Sequence, residues 1–262
     1  MYKKYLIISI FLSLIYNFSY CKQADISNEI SKTLTMPQFV AHAGGAINWL
    51  TYTNSLEALN YNYNKGFRFF EIDFEFTSDK RLVLLHDWSP DNLTKLFHAK
   101  PGVYSLIEFK NFKMINNLTQ MSLGDLADWM FKHPDAYIIT DIKSNNMEGL
   151  NKISKECPTL KGRFMPQIYT FEEYDEAKIM GFKNIILTLY ASDYKDEQVL
   201  EFLNNHKVIA LTMLDYRATK DFVYKLKKIG VFIYVHTVND ATLKNQLKAQ
   251  RVDGFYTDFL GP

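Results

Sequence analysis

The chain contains 262 residues, 47% hydrophobic and 23% charged, a composition that supports a large buried core and excludes a globally disordered protein. Its 30 basic and 29 acidic residues leave a net charge of +1, which excludes the overall basic field that holds nucleic acid or an anionic membrane. Two cysteines, Cys21 and Cys157, exclude a disulfide-rich scaffold and a cysteine zinc cluster.

The N-terminal segment has the pattern of a secretory signal. Two lysines precede an apolar stretch over residues 6–18, which is shorter than the roughly 20 residues that a membrane span needs. We therefore predict a cleaved signal over residues 1–21 and an exported protein, periplasmic or secreted, with no transmembrane span in the mature chain. A lipid anchor on Cys21 is the alternative, which the bulky neighbour Tyr20 disfavours.

After a polar leader over residues 22–36, short apolar runs alternate with helical segments. Strands are predicted over residues 38–42, 68–76, 82–86, 137–142, 164–168, 184–189, 208–212, 231–236 and 254–257. Helices are predicted over residues 55–65, 122–132, 146–156, 171–180, 195–204, 218–229 and 239–249. Asn54 or Thr53 is a candidate cap for the first helix.

This alternation implies parallel strands joined by helical crossovers. About eight such units fit a closed (β/α)₈ TIM barrel better than an open sheet, and no Gly-rich phosphate loop favours the open sheet. We predict a single barrel domain over residues 37–262. Its least regular stretch, residues 87–121, is predicted to form a long loop or a small subdomain.

The second predicted strand carries alternating acids. Glu71, Asp73 and Glu75 share one face, and the aromatic and aliphatic residues between them share the other. If the apolar face packs beneath the outer helices, the carboxylates point into the barrel, where they repel one another and lose hydration. A hard divalent cation, Ca²⁺ or Mg²⁺, would neutralise the repulsion between these carboxylates by binding their oxygens. The alternative is an edge strand with a solvated acidic face.

Other reactive side chains fall at the predicted strand ends, where barrel enzymes hold their active groups. His42 and His86 each end a strand, and Asp141 and Lys143 share a face at the end of another. His236 also ends a strand, but it fits a hydrogen-bonded packing role at least as well.

Five short motifs occur in chain order: His42-Ala43-Gly44, Asn54-Ser55-Leu56-Glu57-Ala58, Glu71-Ile72-Asp73, His86-Asp87 and Asp141-Ile142-Lys143. As an ordered set they resemble the glycerophosphodiester phosphodiesterase family, within the phosphatidylinositol phospholipase C-like superfamily. Segments 237–239 and 253–258 resemble its closing motifs, so the resemblance spans about residues 38–258. It implies a (β/α)₈ barrel that cleaves phosphodiesters with one divalent metal and two histidines.

The resemblance also implies a role for each of six residues. The implied metal ligands are Glu71, Asp73 and Asp141, the implied acid–base pair is His42 and His86, and the implied phosphate contact is Lys143. Thr257 and Asp258 are expected to close the barrel.

Two positions depart from the family pattern. Ala43 stands where the family has an arginine that contacts phosphate, and Thr53 stands where it has a glutamate. Without the bidentate arginine, phosphate binding is expected to depend on the metal, on Lys143 and on the backbone amides of Gly44 and Gly45.

The sequence therefore predicts an enzyme, a metal-dependent phosphoric diester hydrolase of lipid metabolism. We expect it to act on glycerophosphodiesters or related phospholipid headgroups by acid–base catalysis with two histidines. One alternative is phospholipase D-like cleavage of choline phospholipids, because Asp141-x-Lys143 resembles the sphingomyelinase D group, whereas the family usually has Glu at the third acid. Another alternative is a non-catalytic barrel that binds a phosphorylated ligand. Only Ala43 supports this alternative.

The expected partner is a small-molecule or lipid phosphodiester, with no role for nucleic acid. Candidate residues for the substrate wall all lie near predicted strand ends; they are Trp88, Gln167, Tyr169, Tyr190 and Tyr216. Each of them also fits ordinary packing at the mouth of the barrel.

Overall fold

The computed structural model describes residues 34–262. The predicted signal over residues 1–21 and the leader up to residue 33 lie outside the described residues. In the part that is described, no helix is both long enough and apolar enough to cross a membrane.

Nine strands form the sheet of the described chain. They are β1 (Phe39–Ala41), β2 (Phe69–Phe76), β3 (Leu82–Leu84), β4 (Tyr137–Asp141), β5 (Phe164–Ile168), β6 (Ile186–Thr188), β7 (Ala210–Leu214), β8 (Phe232–His236) and β9 (Gly254–Thr257). All except β3 are parallel and follow one another around a ring. The ring closes at β1, where Ala41 pairs with Phe70 of β2 on one side and with Thr257 of β9 on the other. The predicted (β/α)₈ barrel is confirmed.

The third predicted strand is not part of that ring. β3 runs antiparallel to β2, with Leu84 opposite Phe74. Only a short turn over residues 77–81 joins the two strands, and a parallel partner would need a much longer crossover. The backbone amide of Leu85 then donates to the carbonyl of Asp73, at 3.1 Å, which brings His86 to the level of the β2 acids.

Helices cover the outside of the barrel and the loop that follows β3. They are α1 (Leu56–Asn64), α2 (Pro90–Phe97), α3 (Leu106–Asn111), α4 (Leu123–Lys132), α5 (Asn146–Glu156), α6 (Glu173–Ile179), α7 (Asp196–Asn205), α8 (Lys220–Ile229) and α9 (Ala241–Ala249). Ser55 caps α1 by accepting from the amide of Ala58, so the expectation that Asn54 or Thr53 is the cap is wrong. Asn54 is instead used at the site.

The apolar face of β2 packs outward, against the helix layer. Phe70, Ile72 and Phe74 are at most 1% exposed, and the Phe70 ring meets Trp129 of α4 edge-to-face at 5.4 Å. Because side chains alternate along a strand, this packing turns Glu71 and Asp73 toward the inside of the barrel.

Residues 87–121 fold as a small helical insertion with its own core. Its helices α2 and α3 bury Leu93, Leu96, Phe97 and Phe109 against one another. The amide of Gln120 donates to three backbone carbonyls around the end of α3, which ties the return of the chain to that core. His86 stands immediately before this insertion, so the insertion frames one side of the barrel mouth.

Candidate active site

Three buried acids meet at the C-terminal end of the barrel. Glu71 and Asp73 project from β2, and Asp141 is the last residue of β4, where it pairs in register with Asp73. One carboxylate oxygen from each lies within 4.8 Å of the others, and none of the three residues is more than 7% exposed. The structure thus brings together the three acids that the sequence singled out.

The charge of this cluster is only partly balanced. Burial, together with the neighbouring charge of Asp73, raises the pKa of Glu71 to about 8. Burial also acts on Asp73, but Lys143, His86 and His42 together outweigh burial and lower the pKa of that carboxyl. The Oε1 atom of Glu71 is buried and has no hydrogen-bond partner among residues 34–262. A buried carboxylate oxygen without a partner is unfavourable unless something else binds it.

Lys143 bridges two of the acids. Its Nζ lies 2.7 Å from Oδ1 of Asp73 and 2.9 Å from Oδ2 of Asp141. Partial burial alone would lower the pKa of this ammonium group, but the two carboxylates raise it, so Lys143 stays charged. The hydroxyls of Tyr169 and Tyr190 both donate to Asp141, which holds its carboxylate in place.

The donor set fits a hard divalent cation. All three converging groups are carboxylates, and oxygen is the ligand that Ca²⁺ and Mg²⁺ prefer. Within residues 34–262 no donor reaches Oε1 of Glu71, as expected of an atom that coordinates an ion. Glu71, Asp73 and Asp141 could therefore hold such a cation.

His42 lies in a helical turn directly after β1. Its Nδ1 is 2.9 Å from Oδ1 of Asp258, and its Nε2 is 3.9 Å from Glu71. Burial opposes protonation of this ring, but the hydrogen bond to Asp258 and the nearby acids outweigh burial and raise its pKa to about 9. Asp258 follows β9 at the barrel closure, as expected, but its bond to His42 could not be foreseen from the sequence because 216 residues separate the two.

His86 is held in a similar way. Its Nδ1 lies 2.5 Å from Oδ2 of Asp87, so each of the two imidazoles has a carboxylate at Nδ1. The Tyr52 ring lies 4.7 Å from the His42 ring and 5.0 Å from the His86 ring, nearly perpendicular to both. Tyr52 therefore contacts both histidines, and no motif in the sequence pointed to it.

The loop after β1 supports the acids through its backbone and through Asn54. The amide of Ala43 donates to Glu71 at 2.8 Å, and Asn54 both donates to the Asp73 carboxylate and accepts from the Asp73 amide. The amide of Gly45 is bonded to the carbonyl of His42 at 2.7 Å. The expectation that this amide contributes to phosphate binding is therefore wrong, because it already has a partner within the turn.

His236 is a packing residue in this structure. Its ring lies 5.4 Å from that of Tyr190 and 5.9 Å from that of Tyr256, and its buried Nε2 finds no partner in the described chain. Burial, with smaller contributions from His42 and Lys143, lowers its pKa to about 3, so the ring stays neutral.

The predicted substrate wall is only partly assembled. Tyr169 and Tyr190 reach Asp141, as described above, and Gln167 is buried in the barrel. Trp88 instead packs in the insertion and donates to the carbonyl of Phe76. Tyr216 is 76% exposed.

The chain is similar to known proteins in sequence pattern and in fold. The sequence pattern of the glycerophosphoryl diester phosphodiesterase family matches residues 42–180, more than half of the chain. No curated protein sequence matches the chain.

Among solved structures, a candidate glycerophosphoryl diester phosphodiesterase from Silicibacter pomeroyi is 15% identical, with 85% of this chain and 90% of that chain covered and a TM-score of 0.71. A glycerophosphodiester phosphodiesterase from Thermotoga maritima is 20% identical, covering 86% and 96%, with a TM-score of 0.67. A phosphodiesterase from Oleispira antarctica, in complex with the product sn-glycerol-3-phosphate, is 18% identical, covering 85% and 93%, with a TM-score of 0.68. At these identities the likeness establishes a shared fold.

Proposed function

The chain belongs to the glycerophosphoryl diester phosphodiesterase family of phosphoric diester hydrolases, and from that premise we propose that it hydrolyses glycerophosphodiesters at the carboxylate and histidine cluster of the barrel mouth. The convergence of Glu71, Asp73 and Asp141 beside two carboxylate-backed imidazoles carries this proposal. A barrel that only binds a phosphorylated ligand has no need for that combination of groups.

The three acids are the proposed ligands of one divalent cation, Ca²⁺ or Mg²⁺. When bound there, such a cation supplies Lewis-acid polarisation of the phosphoryl oxygens. Lys143 adds a fixed positive charge beside the acids, which stabilises negative charge that develops on the phosphoryl group. With Ala43 in place of the family's arginine, phosphate binding depends on Lys143 and the cation.

The two histidines are the proposed acid–base pair. Each has Nδ1 engaged by a carboxylate, Asp258 for His42 and Asp87 for His86, so each is oriented to use Nε2. One imidazole takes the proton of the attacking hydroxyl or water, and the other gives a proton to the leaving alcohol oxygen. The P–O bond to that alcohol breaks as the bond to the attacking oxygen forms.

Substitution separates this acid–base role from metal binding. We expect His42→Ala and His86→Ala each to abolish turnover of glycerophosphodiesters while binding of Ca²⁺ or Mg²⁺, measured by calorimetry, is retained. Asp141→Asn should instead weaken metal binding. Wild-type rates in both histidine variants would contradict the assignment.

Phospholipase D-like cleavage remains the second candidate, because Asp141 and Lys143 are bonded to each other as an Asp-x-Lys pair. The purified protein should be given a panel of glycerophosphodiesters and choline phospholipids with Ca²⁺, with Mg²⁺ or with chelator, and the released headgroup measured. Turnover of long-chain choline lipids without turnover of glycerophosphodiesters would favour this candidate over the first.

We also propose that the chain is exported with its first 21 residues removed, which the charged and apolar N-terminal pattern supports. Mass spectrometry of the protein from its native host should find a new N-terminus at or near residue 22. An intact N-terminus on the mature protein would contradict cleavage, and a lipid on Cys21 would favour the anchored alternative.

A further inference from the structure

A cavity of about 620 Å³ opens beside Lys143, the proposed phosphate contact. It lies over the ends of β4, β5 and β6, and Lys143 stands where it meets the acid cluster. Its lining includes Lys143, Asn146, Glu148, Tyr169, Glu173 and Tyr190. If a phosphate binds at Lys143 and the acids, the group esterified to it would lie in this cavity.

The charge left in this cavity is negative. Among the described residues that line it, Lys143 is the only basic one, and its ammonium group is already shared between Asp73 and Asp141. Glu148 and Glu173 lie in the first turns of α5 and α6, and no basic residue other than Lys143 lines the cavity with them in the described part of the chain.

The cavity also presents hydrogen-bond acceptors to a ligand. Oε2 of Glu173 accepts from the Tyr169 amide at 2.7 Å and from Asn146 at 3.1 Å, so its carboxylate is held rigidly. Asn146 is 6% exposed, and its Oδ1 has no donor anywhere in residues 34–262. A buried amide oxygen without a donor favours a ligand that supplies an N–H or O–H group, or a positive charge.

Two aromatic rings complete the cavity. The rings of Tyr169 and Tyr190 have centroids 5.8 Å apart and planes at 89°, which forms a right-angled corner. Their hydroxyls are already bonded to Asp141, so the rings offer the cavity mainly their carbon surfaces. Faces of tyrosine rings attract cations, including quaternary ammonium groups.

From these observations we infer that the cavity selects phosphodiesters whose headgroup carries a positively charged amine, primary or quaternary. The inference rests on the proposed function, since it names the substrate class of the same site. A zwitterionic headgroup matches the layout, because its phosphate would meet Lys143 while its amine would lie between the tyrosine corner and the carboxylates of Glu148 and Glu173. A neutral polyol would bring no positive charge to either carboxylate.

The test compares four substrates of one scaffold, glycerophosphocholine, glycerophosphoethanolamine, glycerophosphoglycerol and glycerophosphoinositol, under the same metal and salt. We expect kcat/KM to be about tenfold higher for the two cationic headgroups than for the two neutral ones. Equal kcat/KM values for all four, or a preference for the neutral pair, would overturn the inference and leave the proposed function intact. Turnover of none of the four would count against the proposed function itself.

Charge-neutralising variants assign the preference to the cavity. Glu148→Gln and Glu173→Gln keep a side-chain acceptor and remove the charge, so each should reduce the ratio of cationic to neutral kcat/KM about threefold or more. Glu176→Gln is the matched control, because Glu176 is exposed on α6 and does not line the cavity. An unchanged ratio in both cavity variants would overturn the inference.

Discussion

At the scale of single residues, the two proposed catalytic imidazoles depend on their carboxylate partners. Asp258 binds Nδ1 of His42 through one oxygen, and its other oxygen accepts from the amide of Asn239 at 2.7 Å. This arrangement fixes the ring plane and keeps Nε2 toward the acids, as carboxylate partners of functional histidines do in general.

Asp258→Asn should therefore lower kcat by about 10- to 100-fold with a smaller change in KM, because the ring loses its orientation while substrate contacts remain. Steady-state kinetics with a glycerophosphodiester measure this split. Asp253→Asn is the control, since Asp253 pairs with Lys227 outside the site and its loss should leave kcat unchanged. Equal kcat in Asp258→Asn and wild type would contradict the positioning role.

The burial of His236 leads to a prediction about the free energy of unfolding at low pH. Burial lowers its pKa to about 3 in the folded chain, against an ordinary value of 6.5. Between these values the unfolded chain binds a proton that the folded chain does not, so this residue reduces the free energy of unfolding as pH falls from 6.5 toward 3. The loss is at most about 1.4 kcal/mol per pH unit.

His236→Gln removes the titrating group and should be less sensitive to acid than wild type over that range. Urea unfolding at a series of pH values measures the difference between the two proteins. If their free energies of unfolding fall in parallel from pH 6.5 to 4, His236 does not titrate as its burial implies.

At the scale of elements, the insertion after β3 has a core separate from that of the barrel. Phe109 of α3 is fully buried there, and its ring meets those of Trp88, Phe97 and Phe112. Because these contacts lie within the insertion, its stability can change while the closed ring of parallel strands persists.

Phe109→Ala removes the central ring of that small core, a change that costs about 3–5 kcal/mol in a well-packed core. We expect hydrogen exchange to rise across residues 88–118 and catalysis to weaken through His86, with protection of the barrel strands retained. Phe222→Ala, in the main core, should instead lower protection throughout the barrel. Uniform loss of protection in Phe109→Ala would show that the insertion and barrel unfold as one unit.

At the scale of the whole molecule, the acid cluster links stability to metal binding. Glu71, Asp73 and Asp141 come from two strands that are neighbours only in the closed barrel, so the unfolded chain offers no comparable site. A ligand that binds only the folded state stabilises it by mass action.

Saturating Ca²⁺ or Mg²⁺, at about 100 times its dissociation constant, should add about 2.7 kcal/mol and raise Tm by roughly 5–10 °C relative to chelator. Differential scanning calorimetry measures the shift. Asp141→Asn should reduce the shift, whereas Asp253→Asn should retain it. The same Tm with metal and with chelator in the wild type would argue against the proposed site.

Much of this protein could be predicted from local pattern alone. Alternating apolar runs and helical segments have local causes, and they determined the (β/α)₈ class and the approximate bounds of most elements. The alternation along β2 turned Glu71 and Asp73 to one face, because successive side chains on a strand point in opposite directions. The order of the His, Glu, Asp and Lys motifs then indicated the family and the candidate site.

The features that only the tertiary structure decided are contacts between residues far apart in the chain. The bond from Asp258 to His42, the contact of Tyr52 with both imidazoles and the acceptor-rich cavity beside Lys143 all arise when the barrel closes. Closure brings the ends of all parallel strands to one face of the molecule, whatever their separation in sequence. Local patterns carry no record of such contacts, because the physical forces that select them act between elements that meet only after the chain has folded.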